Sequence, residues 1–293
     1  YQLILTSHSP NLASKINLEN IVICTADAQA FSLGKSNTFL DEADYRFLSR
    51  FLDTTKANLF FARGVILVEG YSESILIPVI AEKIGKSLNK NSVSIVNVGS
   101  AAFLRFGKIF LRKDKIHLPI KVAVITDLDY RPSLFSVTKN KVKRRRVRVK
   151  DAFSEEEIQH TISKRTLRSE NVNTFFSPYW TFEYCIALSP SLRKEFYRAV
   201  LLSWKEKKKT QGIKNTKAID QILETIESQF SKWTEPNETI AFEIYNDIIL
   251  KYQLSKTIIA QHFAEMIEND IVKIDPDEQN IKYIIDAIHF VTK

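Results

Sequence analysis

The chain has 293 residues, 44% apolar and 26% charged, with a net charge of +8, an ordinary globular mixture that can bury a sizeable core and corresponds to about two structural units. No apolar run reaches the roughly 18 residues of a membrane span, no secretory leader pattern opens the chain, and the two cysteines, Cys24 and Cys185, lie far apart. That spacing argues against a disulfide framework or a cysteine zinc site and fits a reducing, cytoplasmic compartment. The five histidines have no metal-ligand spacing, so a bound metal must be held by carboxylates, which favours a hard ion such as Mg²⁺ or Mn²⁺.

The chain opens on YQLILTSHSPNLASKI, whose first residues predict a hydrophobic strand. A strand needs neighbours, so the opening reads as part of something larger. IVICTADAQAFSL predicts one or two further strands. From Asp41 the period becomes helical, with Leu48, Phe51, Leu52 and Leu59 near one face. GVILVEG then predicts a strand buried on both faces, ending at Glu69 and Gly70. A helix follows, with Ser72 as the expected N-cap and Gly85 just past its end. VSIVNV (93–98) predicts a strand, AAFLRFGKIFLR a helix and KVAVI (121–125) a third strand. This alternation indicates an open, mostly parallel α/β sheet, in which ligands gather at the carboxyl ends of the strands. After about residue 150 the pattern is helical apart from a strand at VNTFFS, and KEKKKTQGIKN (205–215) reads as a polar loop.

The charge is unevenly placed. KNKVKRRRVRVK (139–150) carries eight basic residues and no acid, so the remainder nets to zero. The alternation suggests a β-ribbon with Lys143, Arg144, Arg145, Arg146 and Arg148 available to phosphates, although a charge run is more often a solvated face.

Chemistry is carried by the acids. Glu69 at a strand end and Glu73 in the next helical turn can face one pocket, and TDLD brings Asp127 and Asp129 from a nearby strand. Singly, each reads as a solvated or capping acid. Together they repel, and a divalent cation is the usual reason such a group persists. Nothing has the spacing of a serine or cysteine nucleophile site.

LVEG followed by TDLD resembles the Toprim domain of topoisomerases, primases and OLD (overcoming lysogenization defect) nucleases. VEGYSESILIPVIAE, NVGSAAFLRFGKIF with Gly99 and Ser100, YWTFEYCIA and SKTIIAQHFAE resemble the OLD family in particular, including its Gabija-type nucleases. Arg131 stands where a topoisomerase would have its third Asp. The resemblance, over most of 40–270, implies an α/β Toprim fold (Rossmann-like, mostly parallel sheet) with a helical carboxyl-terminal region. It implies a DNA endonuclease in which Glu69, Glu73, Asp127, Asp129 and Glu183 hold two Mg²⁺ or Mn²⁺ ions, with Lys256, Glu69 and Asp127 in the chemistry. TSHSP resembles the end of an ABC-type ATPase, with His8 as its sensor histidine. This implies that ATP acts only in the full-length protein. The expected organisation is an ATPase remnant over 1–40, a linker helix over 41–62, the Toprim domain over 63–189 and a helical region over 190–293. DNA, the ATPase domain, further copies of the chain and a second defence protein are the implied partners, in an anti-phage setting. The alternative from a different class is a non-catalytic DNA- or partner-binding module whose acids are structural.

Overall fold

The computed structural model describes residues 3–99, 102–114, 116–134, 150–213 and 215–292. The expected opening strand is absent: Leu3, Ile4 and Leu5 are exposed, and no strand pairs with them among the described residues. Without ladder hydrogen bonds or a buried face, apolar composition alone does not hold an extended segment as a strand. A short helix α1 (Pro10–Ala13) follows, with Ser9 as its cap. The next apolar stretch forms the antiparallel hairpin β1 (Val22–Cys24) and β2 (Ala30–Ser32). Helix α2 (Glu42–Phe51) starts at a capping box made by Asp41 and Asp44 and stops ten residues later.

Four apolar runs then build one parallel sheet: β3 (Gly64–Val68), β4 (Val93–Asn97), β5 (Lys121–Thr126) and β6 (Val172–Phe176), in the order β4-β3-β5-β6. They are connected by α3 (Tyr71–Lys83), α4 (Phe103–Lys108) and α5 (Glu155–Arg165). Because strand side chains alternate, Val65, Leu67, Val122 and Val124 face one way, onto Phe31, Leu33, Leu48 and Leu59 of the amino-terminal part and Phe103 and Phe106 of α4. Ile66, Val68, Ala123 and Ile125 face the other way, onto α3 and the helices after β6. Each such buried Val, Leu or Ile contributes about 1.5–3 kcal/mol, in keeping with central strands β3 and β5 that are apolar on both faces.

The helices after β6 are α6 (Phe182–Leu188), α7 (Pro190–Thr210), α8 (Lys217–Glu224), α9 (Ile226–Phe230), α10 (Asn237–Phe242), α11 (Lys256–Glu268) and α12 (Lys282–Val291). Between α10 and α11 the chain continues as a π-helical stretch, Glu243–Leu250. Helix α11 packs on α3 and α7, and α12 lies directly against β5, β3 and β6. At Gly64 the approach is so close that a Cβ would sit 2.9 Å from the Val291 carbonyl oxygen. Two local expectations are corrected. The N-cap of α3 is Gly70 rather than Ser72, which is buried inside the first turn. The predicted loop at 205–215 is helical through Thr210, because straight-chain Lys and Glu lose little freedom in a helix. No helix among the described residues is long and apolar enough to cross a membrane.

Candidate metal and phosphodiester site

The sheet order sets the position of the site. The chain leaves β3 to build β4 on one side and then returns to build β5 on the other. The gap between the carboxyl ends of β3 and β5 is therefore the switch point at which open α/β sheets bind ligands. Glu69 follows β3 directly and Asp127 follows β5 directly.

Three helices start at the same place. Glu73 lies in the first turn of α3, Glu183 in the first turn of α6 and Lys256 at the first position of α11. Thr181 caps α6 by accepting from the Tyr184 N–H, and Ser255 caps α11 by accepting from the Ile258 N–H. Glu69, Glu73, Asp127, Glu183 and Lys256 line one pocket of about 270 Å³, together with Gly70, Tyr71, Ser72 and Thr257. The partial positive charge of helix N-termini favours carboxylates here, and would favour a phosphate equally.

The polar contacts are specific. Lys256 Nζ lies 2.8 Å from Glu183 Oε2 and 5.2 Å above the Tyr245 ring. The Phe182 N–H donates to Asp127 Oδ2 at 3.4 Å. Thr126 donates its hydroxyl to Glu69. Arg165, in the last turn of α5, donates to the Asp127 carbonyl at 2.8 Å, to Glu69 Oε1 at 3.3 Å and to the Thr126 hydroxyl. Its guanidinium rests over the Phe103 ring. Gly70 lets the Glu73 carboxylate fold back, since a Cβ there would lie 2.8 Å from Glu73 Oε2.

Burial and like charge raise the acids. Burial and then the Glu183 charge push Glu73 up to about 7. Burial, with Glu73 and Glu183 adding to it, holds Asp127 well above the usual carboxylate range. Burial also raises Glu69, against the opposing effects of the Thr126 hydrogen bond and Arg165, and Asp129 raises it further. Burial alone would lower Lys256, but Glu183 and Tyr245 more than offset it, so its ammonium is held above the usual lysine range. Carboxyls raised together by burial and by one another are the signature of a site short of positive charge.

The donor set consists of carboxylate oxygens, which suit Mg²⁺ or Mn²⁺. Among the described residues no group of three acids, histidines or cysteines is drawn together as a ready-made chelate, so an ion would have to draw these side chains inward. Asp129 is exposed, has φ 61° and does not line the pocket. The expected basic ribbon, with Lys143, Arg144, Arg145, Arg146 and Arg148, lies outside the described residues, as does Ser100. Gly99 has φ 63°, a conformation that suits glycine. His8 is exposed, with its ring 6.5 Å from that of Phe61.

Sequence reasoning missed Arg165 and Tyr245. A basic residue closing a capped helix reads as an ordinary complement to the helix dipole, and nothing local links Arg165 to Glu69, 96 residues away. Tyr245 sits in an apolar helical pattern, and its one distinguishing signal, the π-helical stretch that carries it, is a frequent mark of functional sites that periodicity does not reveal.

A parallel α/β sheet with an acidic pocket at its switch point, entered by three helix starts, defines a Toprim-type domain. Residues 60–129 match the family described as overcoming lysogenization defect protein-like, TOPRIM domain, so this part of the chain is an OLD-like Toprim domain. The match contains Glu69, Glu73, Asp127 and Asp129, whereas Glu183 and Lys256 lie beyond it. No curated protein matches the chain. Among solved structures, the C-terminal region of the Burkholderia pseudomallei OLD protein is similar at 19% identity and TM-score 0.45, covering 80% of this chain and 100% of that one. The C-terminal region of the Xanthomonas campestris pv. campestris OLD protein is similar at 17% identity and TM-score 0.43, covering 80% and 94%.

Proposed function

We propose that this chain hydrolyses phosphodiester bonds in DNA with the help of divalent cations. The observation that carries the reading is the convergence of Glu69, Glu73, Asp127, Glu183 and Lys256 on one pocket in an OLD-like Toprim domain. Glu69, Glu73, Asp127 and Glu183 would hold Mg²⁺ or Mn²⁺, with Asp129 available at the rim. When bound, such an ion stabilises charge on a phosphoryl group and acidifies water. The chain's own residues do the rest. Arg165 and Thr126 fix Glu69, and Arg165 also fixes the backbone at Asp127. Lys256, held cationic by Glu183 and Tyr245, offers a compact positive charge to the phosphate oxygens as charge grows on them. ATP control, DNA contact through the basic residues 143–148, oligomerisation and a role in phage defence belong to the same proposal for the full-length protein.

A second reading has one observation in its favour. The Lys256–Glu183 and Arg165–Glu69 pairs neutralise two of the four pocket acids without any metal, as a purely structural cluster in a binding module would. Incubation with supercoiled plasmid and Mg²⁺ or Mn²⁺ separates the two. Nicked or linear product supports the nuclease, and a gel shift with intact plasmid supports the module. The assay is run on this chain and on the chain joined to its ATPase domain.

A further inference from the structure

A second cavity, of about 390 Å³, opens beside the acidic pocket. Its wall includes Leu128, between Asp127 and Asp129, and Tyr184, next to Glu183, so the two spaces are one residue apart along two different elements. Tyr130, Tyr179 and Trp180 complete an aromatic lining, and Ile162 closes it from α5. Trp180 meets Tyr245 edge-on at 4.6 Å between centroids, and the Lys256 ammonium lies over Tyr245. An aromatic surface therefore runs from the cavity to the lysine. Nothing in the acidic site makes use of this cavity.

We propose that the cavity receives one unstacked nucleobase of the strand whose phosphate occupies the acidic pocket; this rests on the DNA-cleavage reading above. A planar, weakly polar ring is the occupant that aromatic walls favour, and enzymes that extrude a base hold it between such side chains. The volume falls in the range of small-molecule sites. The mouth argues against a second phosphate. Among the described residues the charged lining is Asp151, Glu155 and Glu238 against Lys150, with the Arg131 guanidinium 5.1 Å over the Trp180 ring, an acidic balance that disfavours phosphate and accepts hydrogen bonds from N–H groups. Adenine, cytosine and guanine carry an exocyclic amine with two N–H donors, whereas thymine offers only its N3–H, so the cavity binds thymine less well than cytosine at one position.

The test uses short single-stranded oligonucleotides with one abasic position at a time, bound to the 293-residue chain in EDTA and read by fluorescence anisotropy. One position at which base loss weakens binding by about 5- to 150-fold is expected, the range for removing one base–aromatic stack. Thymine at that position should bind more weakly than cytosine. Ile162→Phe, which pushes a ring into the cavity from α5, should weaken this base dependence and keep the salt dependence of binding. Gln159→Trp, from an exposed rim position, should act alike and covers the case in which Ile162→Phe does not fold. Indifference to base loss at every position, or unchanged base dependence in both variants, overturns the base pocket and leaves the cleavage reading standing. No binding of any oligonucleotide overturns the base pocket, and the plasmid assay with Mg²⁺ or Mn²⁺ then decides the cleavage reading by itself.

Discussion

Replacing Glu73 by Gln should stabilise the metal-free chain, with a gain that grows from about pH 4.5 and is complete above about pH 7. Glu73 is buried in the first turn of α3, and burial together with the Glu183 charge moves its carboxyl from 4.5 to about 7. At about 1.4 kcal/mol per pH unit, holding it ionised in the folded chain costs about 3 kcal/mol. The sign follows from proton counting. Below about pH 4.5 both folded and unfolded chains carry the proton, and Glu73 is neutral to stability. Between about 4.5 and 7 the unfolded chain releases it while the folded chain retains it, so stability falls as pH rises. Above about 7 the loss is complete. Asp127 and Glu69, also raised, act in the same direction. Glutamine keeps the shape without the charge. In EDTA at pH 8, Glu73→Gln should therefore melt roughly 6 °C above wild type, at about 2 °C per kcal/mol for a chain of this size, and at pH 4.5 the two should coincide. Added Mg²⁺ should stabilise wild type more than the variant. A variant that melts below wild type at pH 8, or differs equally at both pH values, would refute the reasoning that burial and Glu183 destabilise this carboxylate.

Lys256→Ala should lower plasmid cleavage by about 10²–10³, the loss seen when one transition-state donor is removed, with DNA affinity little changed; Lys256→Arg should recover part of the rate, because a planar guanidinium does not reproduce a compact ammonium. Arg165→Ala should weaken Mn²⁺ binding, measured by calorimetry, because Glu69 and the Asp127 backbone lose a shared anchor; an unchanged affinity would make Arg165 a packing residue. Gly70→Ala should reduce cleavage with little loss of melting temperature, since the new Cβ meets the far end of the Glu73 side chain rather than backbone. Gly64→Ala should do the reverse, lowering the melting temperature by forcing α12 off β3 at the Val291 carbonyl.

What was legible in the sequence follows from what is local. The central strands β3 and β5 are short apolar runs buried on both faces, a pattern that composition reports directly, whereas the edge strands β4 and β6 are part-exposed; the acids at the carboxyl ends of β3 and β5 follow from the β/α alternation. The start of α11 was legible too, because Ser255 is a strong cap and places Lys256 at its first position. The opening strand failed because pairing is a property of neighbours. The cap of α3 failed because Ser72 offers good capping chemistry but the backbone is extended two residues earlier, at Gly70. Asp129 shares a motif with Asp127, yet its φ of 61° goes with an exposed position outside the pocket wall. Arg165 was hidden because its partners come from β3 and β5, and only the folded sheet brings them to α5.

The account stands or falls on whether the acidic pocket holds a divalent cation. Titrating the chain into Mn²⁺ and following loss of the free-ion electron paramagnetic resonance signal measures this without any need for turnover. The account predicts that wild type removes the signal and that Asp127→Asn and Glu69→Gln, each folded by circular dichroism, leave most of it. Equal Mn²⁺ uptake by wild type and both variants, or none by wild type, would contradict it.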